Sequence, residues 1–252
     1  MMYKGYLIDL DGTMFNGDEV IDGAREFIDR LNEEKLPYLF LTNNATRSKN
    51  ELQEKFDVLG FKTSTHHIYT SAMAMAKYIE EHYKAPKVFV IGTDSFKATL
   101  EEVAELTDEA VDVVVMGLDP TITYDKIIQA CRLIQNGAKF LATNPDQKIK
   151  SHFGFSPGNG AFVKLVSDVT GVDPTIIGKP EKFILEGALV QLKLNKKDVA
   201  MIGDNYDTDI LTGINGGVDT IHVNTGVHST KDVRSRNKVP THLIDNLSEW
   251  QL

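Results

Sequence analysis

Two aspartates separated by one residue follow the first apolar run of the chain, and they are the clearest candidates for chemistry. Residues 6–8 are apolar and lead directly into Asp9, with Asp11 two positions later and Gly12 after it. An apolar run that ends in turn residues predicts a buried strand of a parallel sheet, and open α/β sheets bind ligands beyond the carboxyl ends of their strands. A buried carboxylate is costly unless it is paired or bound to a cation. The pair therefore predicts a site that holds a cation.

Polar residues also lie just beyond three later predicted strands. If these strands are parallel to the first in one sheet, their polar residues share one edge with the aspartates. Carboxylate oxygens suit a hard cation such as Mg²⁺. A lysine and that cation together could hold a phosphate despite the net charge of −9. The residues concerned are Thr42, Asn43 and Asn44, then Lys179, and finally Asp204, Asn205 and Asp209.

The elements that must position these residues alternate between strands and helices. Apolar residues at helical spacing predict one helix capped by Asp22, another at residues 95–106 and another at residues 161–170. Residues 144–160 are predicted to form a loop. Alternation of strands and helices favours parallel sheets with right-handed crossovers.

The length of 252 residues fits one large domain or two modest ones. From the order of the elements we predict a discontinuous core, residues 1–80 and 178–252. Residues 81–177 are predicted to form a smaller inserted α/β domain. Composition does not mark either boundary, so they depend on the predicted topology alone.

The composition excludes several classes of protein. The net charge of −9 argues against a nucleic-acid partner. No apolar run approaches the roughly 18 residues that a membrane span needs, and we expect no membrane partner and a cytoplasmic location. Cys131 is the only cysteine, which excludes an internal disulfide and a cysteine-cluster metal site. Its apolar spacing in a predicted helix indicates a small core residue.

Four segments, in order, resemble the motifs of the haloacid dehalogenase-like (HAD) hydrolase superfamily. A single motif would be weak, because Asp-x-Asp arises often. The resemblance covers nearly the whole chain, and the four core motifs show no departure from the family pattern. The segments are Asp9 to Thr13, Thr42 with Asn43, Lys179, and Gly203 to Asp209.

The insertion is similar to the cap domain of a group that includes NagD-type sugar phosphatases and pyridoxal phosphate–phosphoglycolate phosphatases. Three residues in its loops, Asn144, Asp146 and Asn159, are candidate cap contacts with a substrate. The resemblance implies an α/β fold, with a Rossmann-like parallel-sheet HAD core and an inserted α/β cap domain that supplies specificity. A homodimer is an expectation from the resemblance alone.

The activity implied by the resemblance is that of a Mg²⁺-dependent phosphatase with an aspartyl-phosphate intermediate. Its substrate would be a small phosphorylated metabolite: a sugar phosphate, pyridoxal phosphate, a nucleoside monophosphate or phosphoglycolate. Asp9 is the implied nucleophile and Asp11 the implied general acid and base. The implied substrate contacts are Thr42, Asn43, Asn44 and Lys179. The implied metal ligands are Asp9, Asp11 and Asp204, and the implied role of Asp209 and Asn205 is to orient these ligands.

Two other functions use similar residues. A phosphotransferase or mutase would have to shield the phosphorylated aspartate from water, which a sequence does not reveal. A receiver-like regulatory protein phosphorylated on aspartate would be about half this length and would lack the insertion. Each residue also has an ordinary structural role when considered alone; Thr42, for example, could cap the following helix. Their joint occurrence at strand ends favours the phosphatase.

Overall fold

The computed structural model of the protein describes residues 3–151 and 154–252. In these residues the strands, in chain order, are β1 (Gly5–Ile8), β2 (Phe15–Asn16), β3 (Glu19–Val20), β4 (Tyr38–Thr42), β5 (Ile68–Thr70), β6 (Lys87–Ile91), β7 (Glu105–Leu106), β8 (Val113–Met116), β9 (Lys139–Ala142), β10 (Lys148–Ser151), β11 (Gly154–Pro157), β12 (Thr175–Ile176), β13 (Val199–Gly203), β14 (Asp219–Val223) and β15 (His242–Ile244).

Helices alternate with these strands over most of the described chain. They are α1 (Ala24–Glu33), α2 (Lys49–Val58), α3 (Ser71–His82), α4 (Asp94–Glu101), α5 (Tyr124–Gln135), α6 (Asn159–Thr170), α7 (Lys182–Leu192), α8 (Leu211–Gly216) and α9 (Thr230–Arg234).

Internal contacts divide the chain into two compact units. The first unit consists of Met1–Thr42, Lys49–Tyr69 and Lys179–Leu252, and the second of Asn43–Ser48 and Thr70–Gly178. The boundary predicted at residue 81 falls within α3, which the contacts assign to the second unit. The role of residues 81–177 as a cap domain stays a prediction.

The sheet of the first unit has the strand order β15-β14-β13-β1-β4-β5. β1 is central and pairs in parallel with β13 on one side and β4 on the other. All residues of β1 are buried, as expected for a strand whose two faces are both covered. The prediction of a buried parallel strand at residues 6–8 is confirmed. Since β1, β4 and β13 run in parallel, the residues that follow them meet at one edge of the sheet.

The helix α1 packs its apolar face against this sheet, but it begins differently from the prediction. Gly23, not Asp22, occupies the N-cap position of α1, with φ of 82°. A Cβ atom at Gly23 would lie 2.8 Å from the backbone nitrogen of Ser248. Both the positive φ and this close approach favour glycine. The prediction of an Asp22 cap is therefore wrong, although the predicted apolar face of the helix is correct.

The second unit has its own sheet, in the order β12-β9-β8-β6-β7. Its core packs residues of β8 and β9 against α5 and α6, and Cys131 is buried there as predicted. The helix predicted at residues 95–106 stops at Glu101, and Glu105–Leu106 instead form β7 beside β6. The predicted loop at residues 144–160 contains the antiparallel pair β10 and β11, and α6 begins at Asn159.

The strand that precedes Lys179 does not belong to the sheet of β1. β12 ends at Ile176 and pairs with β9 in the second unit. The backbone nitrogens of Ile177 and Gly178 extend this pairing to the carbonyl oxygens of Ala142 and Thr143, at 3.0 and 2.9 Å. The expectation that Lys179 follows a strand parallel to β1 in the same sheet is therefore wrong.

Candidate active site

A buried lysine joins two carboxylates at the carboxyl edge of the first unit's sheet. Lys179 Nζ forms an ion pair with Asp9, directly after β1, and donates to Asp209 Oδ1 at 2.7 Å. The side chains of Lys179 and Asp209 are 3% and 1% exposed, whereas that of Asp9 is 11% exposed. Of the two acids that Lys179 joins, Asp9 therefore has the more exposed side chain.

Asp204 follows β13 and is fully buried in a shell of backbone and hydroxyl donors. Thr13 Oγ1 donates to its Oδ1 at 3.1 Å, and the backbone nitrogen of Val227 donates to its Oδ2 at 2.6 Å. A Cβ atom at Gly12 or at Gly226 would collide with this carboxylate. The two glycines let two separate loops approach Asp204 closely.

Asp9, Asp204 and Asp209 form an acidic cluster whose composition fits a divalent cation. Each contributes a carboxylate oxygen, and these oxygens lie within 4.8 Å of one another. All three residues are buried, so three acidic groups share this space with the ammonium of Lys179. Oxygen donors at this spacing are the type that Mg²⁺ binds.

The pKa values of two acids in the cluster reflect the crowding of negative charge. Burial, reinforced by the charge of Asp209, raises the pKa of Asp204 to about 7. Burial also raises the pKa of Asp9 well above its ordinary value; Asp209 and Asp204 add to this effect and Lys179 opposes it. A cation between the carboxylates would favour their charged forms.

Lys179 carries its charge in spite of being buried. Burial alone would lower its pKa, but the carboxylates of Asp209 and Asp9 raise it above the ordinary value. The raised pKa favours a positively charged Lys179 next to Asp9.

Three further residues of the core motifs, Thr42, Asp11 and Asn205, also belong to the first unit and follow or end its strands. Thr42 is the last residue of β4 and is buried. Asp11 lies in the turn after β1, which is closed by a hydrogen bond from the Gly12 nitrogen to the Phe15 carbonyl oxygen at 2.8 Å, and it is exposed. The backbone nitrogen of Asn205 donates to Asp209 Oδ2 at 3.0 Å and so helps to orient that carboxylate.

Asn43 follows Thr42 in the chain and makes hydrogen bonds with three residues of the second unit. Its Nδ2 donates to Asp146 Oδ2 at 3.1 Å. Its carbonyl oxygen accepts from Ser71 Oγ at 2.8 Å and from Asn144 Nδ2 at 3.1 Å. Asn144 and Asp146 thus both bind Asn43. A direct contact of either one with a substrate stays a prediction.

Asn44 and Asn159 have clear local structural roles in the second unit. Asn44 Oδ1 accepts from the backbone nitrogens of Thr46 and Arg47, at 2.9 and 3.1 Å. Asn159 is buried, and its Nδ2 lies 3.2 Å from the carbonyl oxygen of Met116, which ends β8. These bonds fix the loop that contains Asn44 and the first residue of α6. Their predicted contacts with a substrate are not tested by this geometry.

One loop that holds the site was missed by the sequence analysis. Residues 224–228, here called the β14 loop, supply the Val227 nitrogen that binds Asp204. In the same loop Thr225 Oγ1 donates to the carbonyl oxygen of Gly12 at 2.6 Å. Thr13 was likewise noted only as part of a motif. An apolar strand followed by Asn-Thr-Gly is the same kind of signal that identified the other strand ends, so it could have pointed to this loop.

The parallel sheet and the lysine-paired carboxylates at its carboxyl edge define an α/β protein with a charged site at a sheet edge, and comparisons with known proteins identify its class. A family model described as haloacid dehalogenase-like hydrolase matches residues 6–104, and a second HAD-hydrolase-like model matches residues 176–250. The acid sugar phosphatase of Staphylococcus aureus (strain MRSA252) is 47% identical over 249 residues, which is 98% of this chain and 96% of that protein.

Solved structures give the same result. A double mutant of a thermostable NPPase from Geobacillus stearothermophilus has a TM-score of 0.94 at 42% identity and covers 99% of this chain and 98% of its own. NagD from the E. coli K-12 strain has a TM-score of 0.94 at 29% identity, and the match covers 100% of this chain and 99% of the NagD chain.

The chain therefore belongs to the haloacid dehalogenase-like hydrolase family. Within that family it is a NagD-type phosphatase, an enzyme that hydrolyses phosphoric monoesters. The predicted fold, a Rossmann-like parallel-sheet core in an α/β protein, is confirmed. None of the helices in the described part of the chain is long and apolar enough to cross a membrane.

Proposed function

We propose that the protein is a Mg²⁺-dependent phosphatase of small phosphorylated metabolites that works through an aspartyl-phosphate on Asp9. The position of Asp9 carries this proposal: it pairs with the buried Lys179 and is the least buried of the three acids in the cluster. Asp209 and Asp204 are more deeply buried than Asp9, so they are better suited to support the reaction than to attack a substrate.

The proposed reaction has two displacements at phosphorus. In the first, a carboxylate oxygen of Asp9 attacks the phosphorus atom and the bond to the leaving alkoxide oxygen breaks. In the second, water attacks the phosphorus of the aspartyl-phosphate, and inorganic phosphate leaves as Asp9 is regenerated. Covalent catalysis of this kind replaces one difficult step with two easier ones.

Asp11 is proposed to move the protons in both displacements. It gives a proton to the leaving alkoxide and later takes one from the attacking water. Its exposed position, two residues after Asp9 in the same turn, suits a group that must reach the leaving oxygen. We therefore expect one short turn to supply both the nucleophile and the general acid and base.

Positive charge and neutral donors are proposed to bind the transferred group. Lys179 offsets the charge that develops on the phosphoryl oxygens, the main form of stabilisation in phosphoryl transfer. Thr42 and the residues after it, Asn43 and Asn44, are the proposed hydrogen-bond donors.

The acidic cluster is proposed to hold the Mg²⁺ ion. The ligands would be the carboxylates of Asp9 and Asp204 and the backbone carbonyl of Asp11, with Asp209 and Asn205 orienting the site. When bound, Mg²⁺ supplies positive charge that favours attack by one anion on another. The close contacts of Gly12 and Gly226 with Asp204 leave this carboxylate little freedom to move, which suits a metal ligand.

The substrate class is proposed from the similar proteins together with the site. Similar proteins include acid sugar phosphatases and a 4-nitrophenylphosphatase. We propose a sugar phosphate or a related small phosphate monoester, while pyridoxal phosphate, nucleoside monophosphates and phosphoglycolate remain the other candidates. A panel of phosphorylated metabolites, compared by kcat/KM, would identify the preferred one.

The metal dependence can be tested with p-nitrophenyl phosphate. We expect rapid hydrolysis with MgCl₂ and loss of activity with EDTA, restored by excess Mg²⁺. Replacing Asp204 with Ala should lower activity about 10–100-fold or more and abolish saturation by Mg²⁺, because a direct ligand is lost. Full activity of the wild-type protein in EDTA would refute the metal proposal. An unchanged Mg²⁺ titration in the Asp204→Ala variant would refute only the ligand assignment.

Mg²⁺ affinity is expected to increase between pH 6 and pH 8. The pKa of Asp204 in the metal-free protein is about 7, so a proton must leave this carboxylate before a cation can bind at lower pH. For each proton displaced, the apparent Kd should weaken by up to about tenfold per pH unit below that pKa. Calorimetric titration of metal-free protein in buffers of different ionisation enthalpy measures the affinity and the protons released. An affinity that is constant over this range, with no proton release, would contradict the prediction.

A further inference from the structure

His222 is a fully buried histidine on β14 whose ring binds two backbone carbonyl groups. Its Nε2 lies 3.1 Å from the carbonyl oxygen of Asp204 and 3.1 Å from that of His228. The first carbonyl belongs to the residue that carries the most deeply buried carboxylate of the acidic cluster. The second belongs to the end of the β14 loop.

The hydrogen bonding of this ring indicates which nitrogen carries the proton. Carbonyl oxygens only accept hydrogen bonds, so two of them within hydrogen-bond distance of Nε2 place a proton on that nitrogen. Nδ1 has no hydrogen-bond partner among the described residues. A buried nitrogen without a partner is unfavourable, and an apolar side chain would avoid it. The stabilising contribution of this histidine therefore comes from its Nε2–H group.

The two carbonyl groups belong to segments that meet again at the Asp204 carboxylate. Within the β14 loop, Val227 donates its backbone N–H to Asp204 Oδ2 at 2.6 Å. Thr225 joins the same loop to the acidic turn by its bond to the Gly12 carbonyl oxygen at 2.6 Å. His222 thus joins Asp204, the first residue after β13, to His228, the last residue of the β14 loop. Val227, which precedes His228, supplies the N–H group that binds the Asp204 carboxylate.

We propose that His222 is a positioning residue, which fixes the β14 loop against Asp204 and thereby orients its carboxylate toward a divalent cation. This inference rests on the proposed Mg²⁺ function. Residues that orient metal ligands typically change metal affinity or activity by about 10–100-fold when they are replaced. His222 touches neither the substrate nor the metal in this proposal; it acts through the loop.

The test compares three variants of the full chain with Mg²⁺ alone as the probe. His222→Phe keeps a planar ring but has no N–H donor, whereas His222→Gln restores an N–H near the position of Nε2. Thr220→Val is the matched control, because Thr220 is a buried residue on the same face of β14 and bonds to Thr241, away from Asp204. Calorimetric titration of metal-free protein gives the Mg²⁺ affinity without turnover, and p-nitrophenyl phosphate kinetics at saturating Mg²⁺ follow.

We expect His222→Phe to bind Mg²⁺ about tenfold more weakly, with little change in KM for the substrate. His222→Gln should recover most of the affinity, and Thr220→Val should bind Mg²⁺ like the wild type. Wild-type affinity in His222→Phe, or an equal loss in Thr220→Val, would overturn the inference. If His222→Phe fails to fold, His222→Leu carries the test, because it also removes the N–H donor; wild-type affinity there would also overturn it.

The failure of this inference can be distinguished from the failure of the proposed function. If the wild-type protein binds no Mg²⁺, the metal proposal and the positioning role are both wrong. If the wild type binds Mg²⁺ and His222→Phe binds it equally well, only the positioning role is wrong.

Discussion

Replacing Asp9 with Asn is expected to reduce phosphatase turnover by about 10⁴-fold or more, as for other enzymes that lose their nucleophile. The amide keeps the shape of the side chain but does not attack phosphorus, so no aspartyl-phosphate forms. The change would be measured as kcat for p-nitrophenyl phosphate at saturating Mg²⁺. Brief incubation with labelled substrate followed by acid quench should give phosphorylated protein with the wild type and none with the variant.

The Asp9→Asn variant should remain folded, and the reason lies in the pKa of Asp9. Burial raises that pKa in the folded protein. An acid whose folded pKa is raised destabilises the fold at pH values above its unfolded pKa, because it must then be charged in a site that disfavours charge. Asn removes this penalty, and Lys179 keeps Asp209 as a partner at 2.7 Å. In metal-free protein at neutral pH, the melting temperature should therefore equal or exceed that of the wild type.

Asp18→Asn provides the matched control for this prediction. Asp18 lies nearby in the chain and is exposed, and the substitution changes the net charge by the same amount. It should leave kcat within about twofold of the wild type, as for most surface substitutions. Retention of full turnover by Asp9→Asn would remove Asp9 as the nucleophile. Loss of turnover accompanied by a large fall in melting temperature would indicate unfolding instead.

Much of the site could be predicted because its side chains follow apolar strands. Two runs are too apolar for a half-exposed strand: residues 6–8 before Asp9, and residues 199–202 before Gly203 and Asp204. Parallel strands buried on both faces have this pattern. Alternation with helices then implies that the strand ends share one edge, and the structure places β1, β4 and β13 side by side.

Lys179 shows what a local pattern does not contain. A short apolar stretch before it predicts a strand, but the partner of that strand is decided by residues far away in the chain. β12 pairs with β9 of the second unit. Lys179 is the first residue of the last segment of the first unit, and there its side chain contacts Asp9 and Asp209. The prediction therefore identified Lys179 as a site residue but assigned the strand before it to the wrong sheet.

The β14 loop was missed for a different reason. Its contribution to Asp204 is the backbone N–H of Val227, and every residue except proline carries such a donor. A search for reactive side chains therefore passes over it. The strands β7, β10 and β11 were missed because none of them contains a run of large apolar residues, so only their pairing defines them.

Replacing Lys179 with Met is expected to damage both stability and activity. The substitution leaves the buried Asp9 and Asp209 without the ammonium that pairs with both. Removing one partner of a buried ion pair typically costs about 3–5 kcal/mol in the free energy of unfolding. Loss of a charge that stabilises the transition state should also lower kcat by about 10²–10³-fold. Chemical unfolding in EDTA and turnover with Mg²⁺ measure the two effects separately.

Lys182→Met is the matched control, since it makes the same change on α7 at a side chain that is 55% exposed and lies 3.9 Å from Glu186. An exposed pair of this kind contributes only about 0–1 kcal/mol. The control should therefore unfold and turn over almost like the wild type. If Lys179→Met behaved like this control in both measurements, Lys179 would be neither a structural nor a catalytic cation.

The loss of stability in Lys179→Met should depend on pH in a direction that the charges determine. Without the ammonium, the pKa of Asp9 has only burial and the neighbouring acids acting on it, and all of them raise it. An acid with a raised folded pKa destabilises the protein above its unfolded pKa. Variant and wild type differ in this penalty only at pH values where Asp9 is charged in the folded wild type, because at lower pH Asp9 is neutral in both folded proteins. The difference in melting temperature between variant and wild type in EDTA should therefore be large at pH 8 and small near pH 5. A difference that stays constant over this range would mean that Lys179 stabilises the fold by packing and not by its charge.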